Sequence, residues 1–200
     1  MGKVVTSASM SLDGYVSGPD ESGLDHLFAW YGNRDVSVPT AQPDRTFHMT
    51  AESARVWTEF SSNVGALVVG RRTFDVTDGW GGLHPLGVPV FVVTHRVPKD
   101  WPHPDAPFSF VTDGVERAIE QAQVAAGGKD VSITAGTIAA QALRAGLLDE
   151  IWVMLTPVVL GGGRPFFPDL HDGPVALVGP DVIQGDGVTH LRYRVERPSR

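Results

Sequence analysis

Three short segments of this chain carry residue types suited to gripping phosphate, and each directly follows an apolar run. The first is Gly70, Arg71, Arg72, Thr73 and Phe74. Glycine lets backbone approach a ligand closely, and paired arginines offer forked donors to phosphate oxygens. Thr73 is placed to cap a following helix whose first amides would face an anion. Thr94, His95 and Arg96 repeat the arrangement. If the two preceding runs are neighbouring strands, Arg71, Arg72 and Arg96 form one cationic rim. Such a rim suits a dinucleotide with an extra 2′-phosphate, which arginine accommodates. The third segment is Ala135, Gly136 and Thr137, a small-residue turn opening a helix. Free amides and the positive dipole end there would hold a pyrophosphate. Each segment also has a plain alternative, a strand-to-helix turn with surface cations. All cations but Lys3, Lys99 and Lys129 are arginine, so a single arginine says little.

Two further turns follow strands and so fall on the same sheet edge. One runs Ser9, Met10, Ser11, Leu12, Asp13, Gly14, in which Asp13 is either part of a tight turn or a catalytic carboxylate. The other, residues 157–163, includes Leu160, Gly161, Gly162 and Gly163. It is a flexible turn or a place where backbone passes a bound ring. Trp57 and Phe60 share one helix face, as core packing or as a pocket wall for a flat heterocycle. Other chemistries find no support. The seven histidines show no metal-ligand spacing, there are no cysteines, and no metal site is expected. Neither a G-x-S-x-G elbow nor a G-x-G-x-x-G fingerprint occurs.

The elements that must position these residues are legible in outline. Apolar runs at 4–9, 64–69, 88–94, 108–111, 131–134 and 151–156 predict strands, several of them apolar on consecutive positions and therefore buried on both faces. Between them, helical spacing predicts a helix capped by Thr50, one capped by Asp113 and running to Ala126, and one at 137–145. Residues 24–49, with Pro39 and Pro43, read as a long excursion of the functional or mobile kind. Segments 175–183 and 188–195 flank a Gly185-Asp186-Gly187 turn and predict an antiparallel hairpin. In its second strand Arg192, Arg194 and Glu196 should face water. The expected fold is a single three-layer αβα domain over 1–200, its mixed sheet parallel through the middle.

Composition narrows the classes. With 42% hydrophobic and 20% charged residues the chain reads as a folded globular protein. A formal charge of −7 disfavours nucleic acid as a partner. No run approaches the roughly 18 apolar residues of a membrane span, and the start lacks the apolar core of a secretory signal. Cytoplasmic residence is the expectation.

Taken in order, the segments S-M-S-L-D-G at 9–14, G-R-R-T-F at 70–74, V-F-V-V-T-H at 90–95, I-T-A-G-T-I-A-A-Q-A-L at 133–143, G-L-L-D-E-I at 146–151 and P-V-V-L-G-G-G-R-P-F-F at 157–167 resemble the dihydrofolate-reductase superfamily. The resemblance is to the reductase domain of riboflavin-pathway deaminase–reductases and its stand-alone relatives. It implies an eight-stranded, mostly parallel sheet, NADPH as hydride donor, and pairing into homodimers. It also implies that Gly70 to Thr73 and Thr94 to Arg96 hold the adenosine phosphates. The pyrophosphate would fall to Gly136, Thr137, Ile138 and Ala139. Ser9 to Gly14 would border nicotinamide and substrate. This chain has Ala135 where those relatives have a first glycine. The carboxylate that grips a pterin in folate enzymes has Glu52 as its counterpart candidate, with Glu59 the other acid of that helix.

The expectation is therefore an NADPH-dependent reductase acting on a small pteridine-, pyrimidine- or ribosylaminopyrimidine-like substrate, as in 5-amino-6-(5-phosphoribosylamino)uracil reduction. Asp13 or water would supply the proton. The alternative is a non-catalytic module binding a dinucleotide or a flavin.

Overall fold

Strands that are apolar at successive positions need cover on both sides, and the fold supplies it. The computed structural model describes residues 2–170 and 173–196. In β5 (Val64–Gly70), Ala66 and Val68 pack to one side of the sheet, while Leu67 and Val69 pack to the other. The same division holds in β6 (Val90–Val93), where Phe91 faces one core and Val90 and Val92 the opposite one.

These strands belong to an eight-stranded sheet. With β1 (Val4–Met10), β7 (Phe108–Val111), β8 (Asp130–Thr134) and β9 (Glu150–Leu155), they form its parallel part in the order β9-β1-β8-β5-β6-β7. The hairpin of β11 (Leu177–Gln184) and β12 (Thr189–Val195) adds antiparallel to β9. The expected layers, parallel centre and closing hairpin are all present. One face carries α4 (Val115–Ala125) and α5 (Thr137–Arg144), whose Ala118, Ile119, Ala139 and Ala142 are buried against Val4, Val131 and Ile133. The other carries α2 (Ala51–Asn63) and the short α3 (Arg71–Val76).

Thr50 caps α2 as expected, its side chain accepting from the Ser53 amide at 3.2 Å. Asp113 does not cap α4. The N-cap is Gly114, with no side-chain hydrogen bond, which leaves the first amides of α4 uncapped. Thr73 is likewise not a cap. It lies inside α3, where Gly70 is the N-cap and the Thr73 carbonyl accepts from Thr77.

The excursion at 24–49 is ordered and forms no part of the main sheet. It contains α1 (Leu24–Phe28) and a hairpin of β3 (Val36–Pro39) and β4 (Thr46–Met49), anchored by fully buried Leu27 and Met49. Its tip is clasped to the loop after α3. The Ala41 amide donates to the Pro85 carbonyl at 2.8 Å, and the Gln42 amide group donates to the Trp80 and Leu83 carbonyls at 3.1 and 2.7 Å.

The wet face expected for β12 is only partly wet. Arg194 is exposed, but Arg192 lies over the Trp152 ring at 4.6 Å and pairs with Glu150 and Glu59. A half-buried arginine can lay its stem on apolar surface and still satisfy its head, which alternation in sequence does not reveal.

Candidate active site

Parallel strands deliver their following turns to one edge, and here those turns surround a single cavity of about 1200 Å³ between α2 and α3. Gly70, Arg71, Arg72, Thr73, Thr94, His95, Arg96, Gly136, Thr137 and Ile138 all line it, as do Ser9, Trp57 and Phe60. The three phosphate-suited turns thus converge. Sites for one drug-sized ligand span roughly 300–1,000 Å³, so this cavity has room for a coenzyme and a substrate together.

Charge is concentrated at the turns. Arg45, Arg71, Arg72, Arg96 and Arg164 line the cavity, against one lining carboxylate, Glu21. In a chain of net charge −7, that clustering marks an anion site. The arginines are differently engaged. Arg71 ties the turns together, donating to Asp75 at 2.8 Å and to the Arg96 carbonyl at 3.0 Å. Glu21 accepts from both Arg72 and Arg164 at 2.6 Å. Arg96 makes no side-chain hydrogen bond or ion pair among the described residues.

The start of α5 is built for a close anionic ligand. Gly136, its N-cap, has φ 82° and ψ −141°, and no side chain caps the helix. A Cβ on Gly136 would meet nothing within 4 Å, so backbone there faces open cavity. Ala135 has no positive φ, which is why alanine is tolerated at that position. Ala139 lies elsewhere: fully buried, it packs in the core behind the turn. The beginning of α4, at Thr112 and Gly114, also lines the cavity. Sequence reading missed it by assigning the cap to Asp113, although a turn following β7 was the available signal.

Several expected site residues fall outside the cavity lining. The Asp13 carboxylate accepts from the Leu160 and Gly161 amides at 3.0 and 2.7 Å, fastening one loop to another. Hydrogen bonds from Ser11 and these two amides lower its pKa to about 2. Asp13 is a loop clasp, ionised at neutral pH and unsuited to giving up a proton. Gly14 forms the turn, its carbonyl accepting from Phe166. Leu160 and Gly161 serve the same closure. Gly163 is required by packing rather than by a ring, since a Cβ there would collide with the Ser17 carbonyl oxygen. Glu52 is exposed to solvent away from the cavity. If Asp13 is a clasp, Asp13→Asn should lower kcat less than about tenfold and leave the limbs of the pH–rate profile where they are. Loss of the acid limb would restore Asp13 as proton donor.

The substrate side was largely hidden in the sequence. Trp30, Tyr31 and Phe47 reach the cavity from the excursion, Trp152 and Met154 from β9, and His190 from β12. Burial lowers the pKa of His190 to about 4; its Nε2 lies 2.9 Å from the Ser53 hydroxyl. Burial and the nearby Arg45 lower that of His84 to about 3, and its Nδ1 accepts from the Leu86 amide at 3.1 Å. Both imidazoles are neutral at pH 7. Among the described residues no group of His, Asp or Glu could hold a metal ion, and no helix is long and apolar enough to cross a membrane.

This architecture matches known proteins. A putative riboflavin biosynthesis protein from Shewanella sp. PV-4 superposes with a TM-score of 0.71 at 23% identity, covering 98% of this chain and 99% of its own. Acinetobacter baumannii RibD gives 0.62 at 15% identity; the match covers 98% of this chain but only 58% of that protein. A pyrimidine reductase-like protein from Corynebacterium diphtheriae gives 0.59 at 14% identity, covering 98% and 92%. These likenesses establish the fold. No curated protein matches the chain in sequence. The model of the RibD C-terminal domain family matches residues 2–177, nearly the whole length. On that match, with the converging turns and the eight-stranded sheet, the chain belongs to the RibD C-terminal domain family.

Proposed function

We propose that the protein is an NADPH-dependent reductase whose substrate is a small pyrimidine- or pteridine-like ring. Family membership supports a pyrimidine reductase-like oxidoreductase. The observation that carries the coenzyme choice is the set of five arginines around an uncapped helix start in one cavity. The residues fit the coenzyme: the start of α5 would take the pyrophosphate, and Arg72 and Arg96 the 2′-phosphate. Arg71 would brace those turns against each other. When bound, NADPH supplies a hydride and water a proton, which together reduce one double bond of the acceptor by two electrons. The chain's own part is orientation and exclusion of bulk water. The exposed edge strand β11, with Leu177, Val178 and Val182 on its surface, is the face we assign to a second copy.

Fluorescence titration tests the coenzyme assignment. Saturable binding of NADPH with a marked preference over NADH is expected, and equal affinity for the two would remove the arginines from the 2′-phosphate. Glu21 sharpens the test, because its carboxylate now occupies Arg72. Half-exposed ion pairs contribute about 0.2–1 kcal/mol, so Glu21→Gln should tighten NADPH about two- to fivefold and leave NADH unchanged.

A further inference from the structure

We infer that the acceptor end of the cavity takes a flat, uncharged heteroaromatic ring bearing neither a phosphate nor a carboxylate tail. The inference rests on the reductase reading and narrows its substrate. A continuous aromatic wall carries it. Tyr31 and Phe47 have ring centroids 4.4 Å apart, Phe47 meets Trp57 edge-on at 5.1 Å, and Phe60 stands 5.5 Å from Trp152. All five rings line the cavity, and Tyr31, Phe47, Trp57 and Phe60 are only partly buried. They face open space rather than a filled core, which is how rings that stack on a ligand are held.

Opposite the wall lies a floor of small hydroxyls. Ser7 and Ser9 of β1 point to the same side as Val5, and Ser132 of β8 joins them. Ser9 is 3% exposed, and its oxygen accepts from the Trp30 indole N–H at 3.1 Å. Its own proton is therefore free to meet a carbonyl or nitrogen on a ring edge. Wall and floor together fit a thin ring with hydrogen-bonding edges.

Charge complementarity sets the rest. The one lining carboxylate, Glu21, is held between Arg72 and Arg164 at the phosphate end, so no acid faces the wall to grip a cationic ring. The lining arginines belong to the coenzyme turns or to Glu21, except Arg45, which stands beside His84 past the hairpin tip. A phosphate brings a charge of about −1.5 to −2; here it would meet neutral aromatic faces and neutral imidazoles. Desolvating such a group without a partner is unfavourable.

Calorimetry with three probes decides the matter, in the presence of saturating NADP⁺: lumazine, its 6-carboxylate, and uridine 5′-phosphate. Lumazine is expected to bind at least tenfold more tightly than either anion. Trp57→Leu should weaken lumazine about tenfold, the scale of a lost base–aromatic stack, with NADPH affinity changed less than twofold. Phe47→Leu, on the hairpin, is the second variant should Trp57→Leu unfold, and it should weaken lumazine in the same sense. Equal or tighter binding of either anion overturns the inference, as does lumazine binding that neither variant alters. If NADPH binds and lumazine does not, the substrate class is wrong while the reductase reading survives. If lumazine binds and NADPH does not, the reductase reading fails and the ring site stands.

Discussion

Gly136→Val is expected to weaken NADPH binding by about ten- to a hundredfold and to destabilise the fold by about 1–3 kcal/mol. The two effects have separate causes. At φ 82° and ψ −141°, Gly136 holds a backbone conformation in which a β-branched residue is strained. Strain of this kind costs roughly 1–3 kcal/mol. The binding loss comes from space: the new side chain would project into open cavity at the uncapped start of α5, where the pyrophosphate is assigned. Hydrogen bonds to a charged group are worth about 1.5–3 kcal/mol, which sets the fold-change. Urea denaturation reads the first effect and coenzyme titration the second. Ala135→Gly is the matched control, since Ala135 has no positive φ, and it should leave binding within about twofold. A Gly136→Val protein that binds NADPH like the parent would falsify the assignment of this turn.

Glu150→Ala is expected to cost about 3–5 kcal/mol, the scale for breaking a buried pair. Against a total stability of roughly 5–15 kcal/mol that is a large fraction. Glu150 is 3% exposed at the start of β9, a strand paired to both β1 and β12. Its carboxylate accepts from Lys3 at 2.6 Å, from Trp152 at 3.0 Å and from Arg192 at 3.0 and 3.2 Å. Removing it strands Arg192 against Trp152 with only Glu59 to answer it. Burial alone would raise the pKa of Glu150, but the hydrogen bonds from Arg192, Lys3 and Trp152 outweigh it and hold the group below its ordinary range. A depressed folded-state pKa contributes stability above the unfolded value, about 4.3, which is lost as pH falls through the folded one. Urea midpoints should therefore fall between pH 7 and pH 3.5 more steeply for the parent than for Glu150→Gln. Equal slopes would show that the carboxylate is not a main contributor to acid stability.

The amino-acid order by itself determined the sheet, the helices behind it and the location of the coenzyme turns. These follow from local physics: apolar runs such as 64–69 require burial on both faces, and a turn after a parallel strand must open at the carboxyl edge. Gly70 to Thr73, Thr94 to Arg96 and Gly136 to Ile138 were legible because each lies one or two residues beyond its strand. Tertiary structure decided what those turns meet. Asp13 sits in an inviting turn, yet only contact with Leu160 and Gly161, nearly 150 positions away, shows it to be a clasp. Glu21 reaches Arg72 and Arg164 from a loop with no distinguishing pattern. The aromatic wall is assembled from the excursion, α2 and β9, and its members are far apart along the chain. Side-chain periodicity reports which face of its own element a residue occupies. Whether that face meets a packed core or an open cavity depends on distant segments, and no local pattern encodes it.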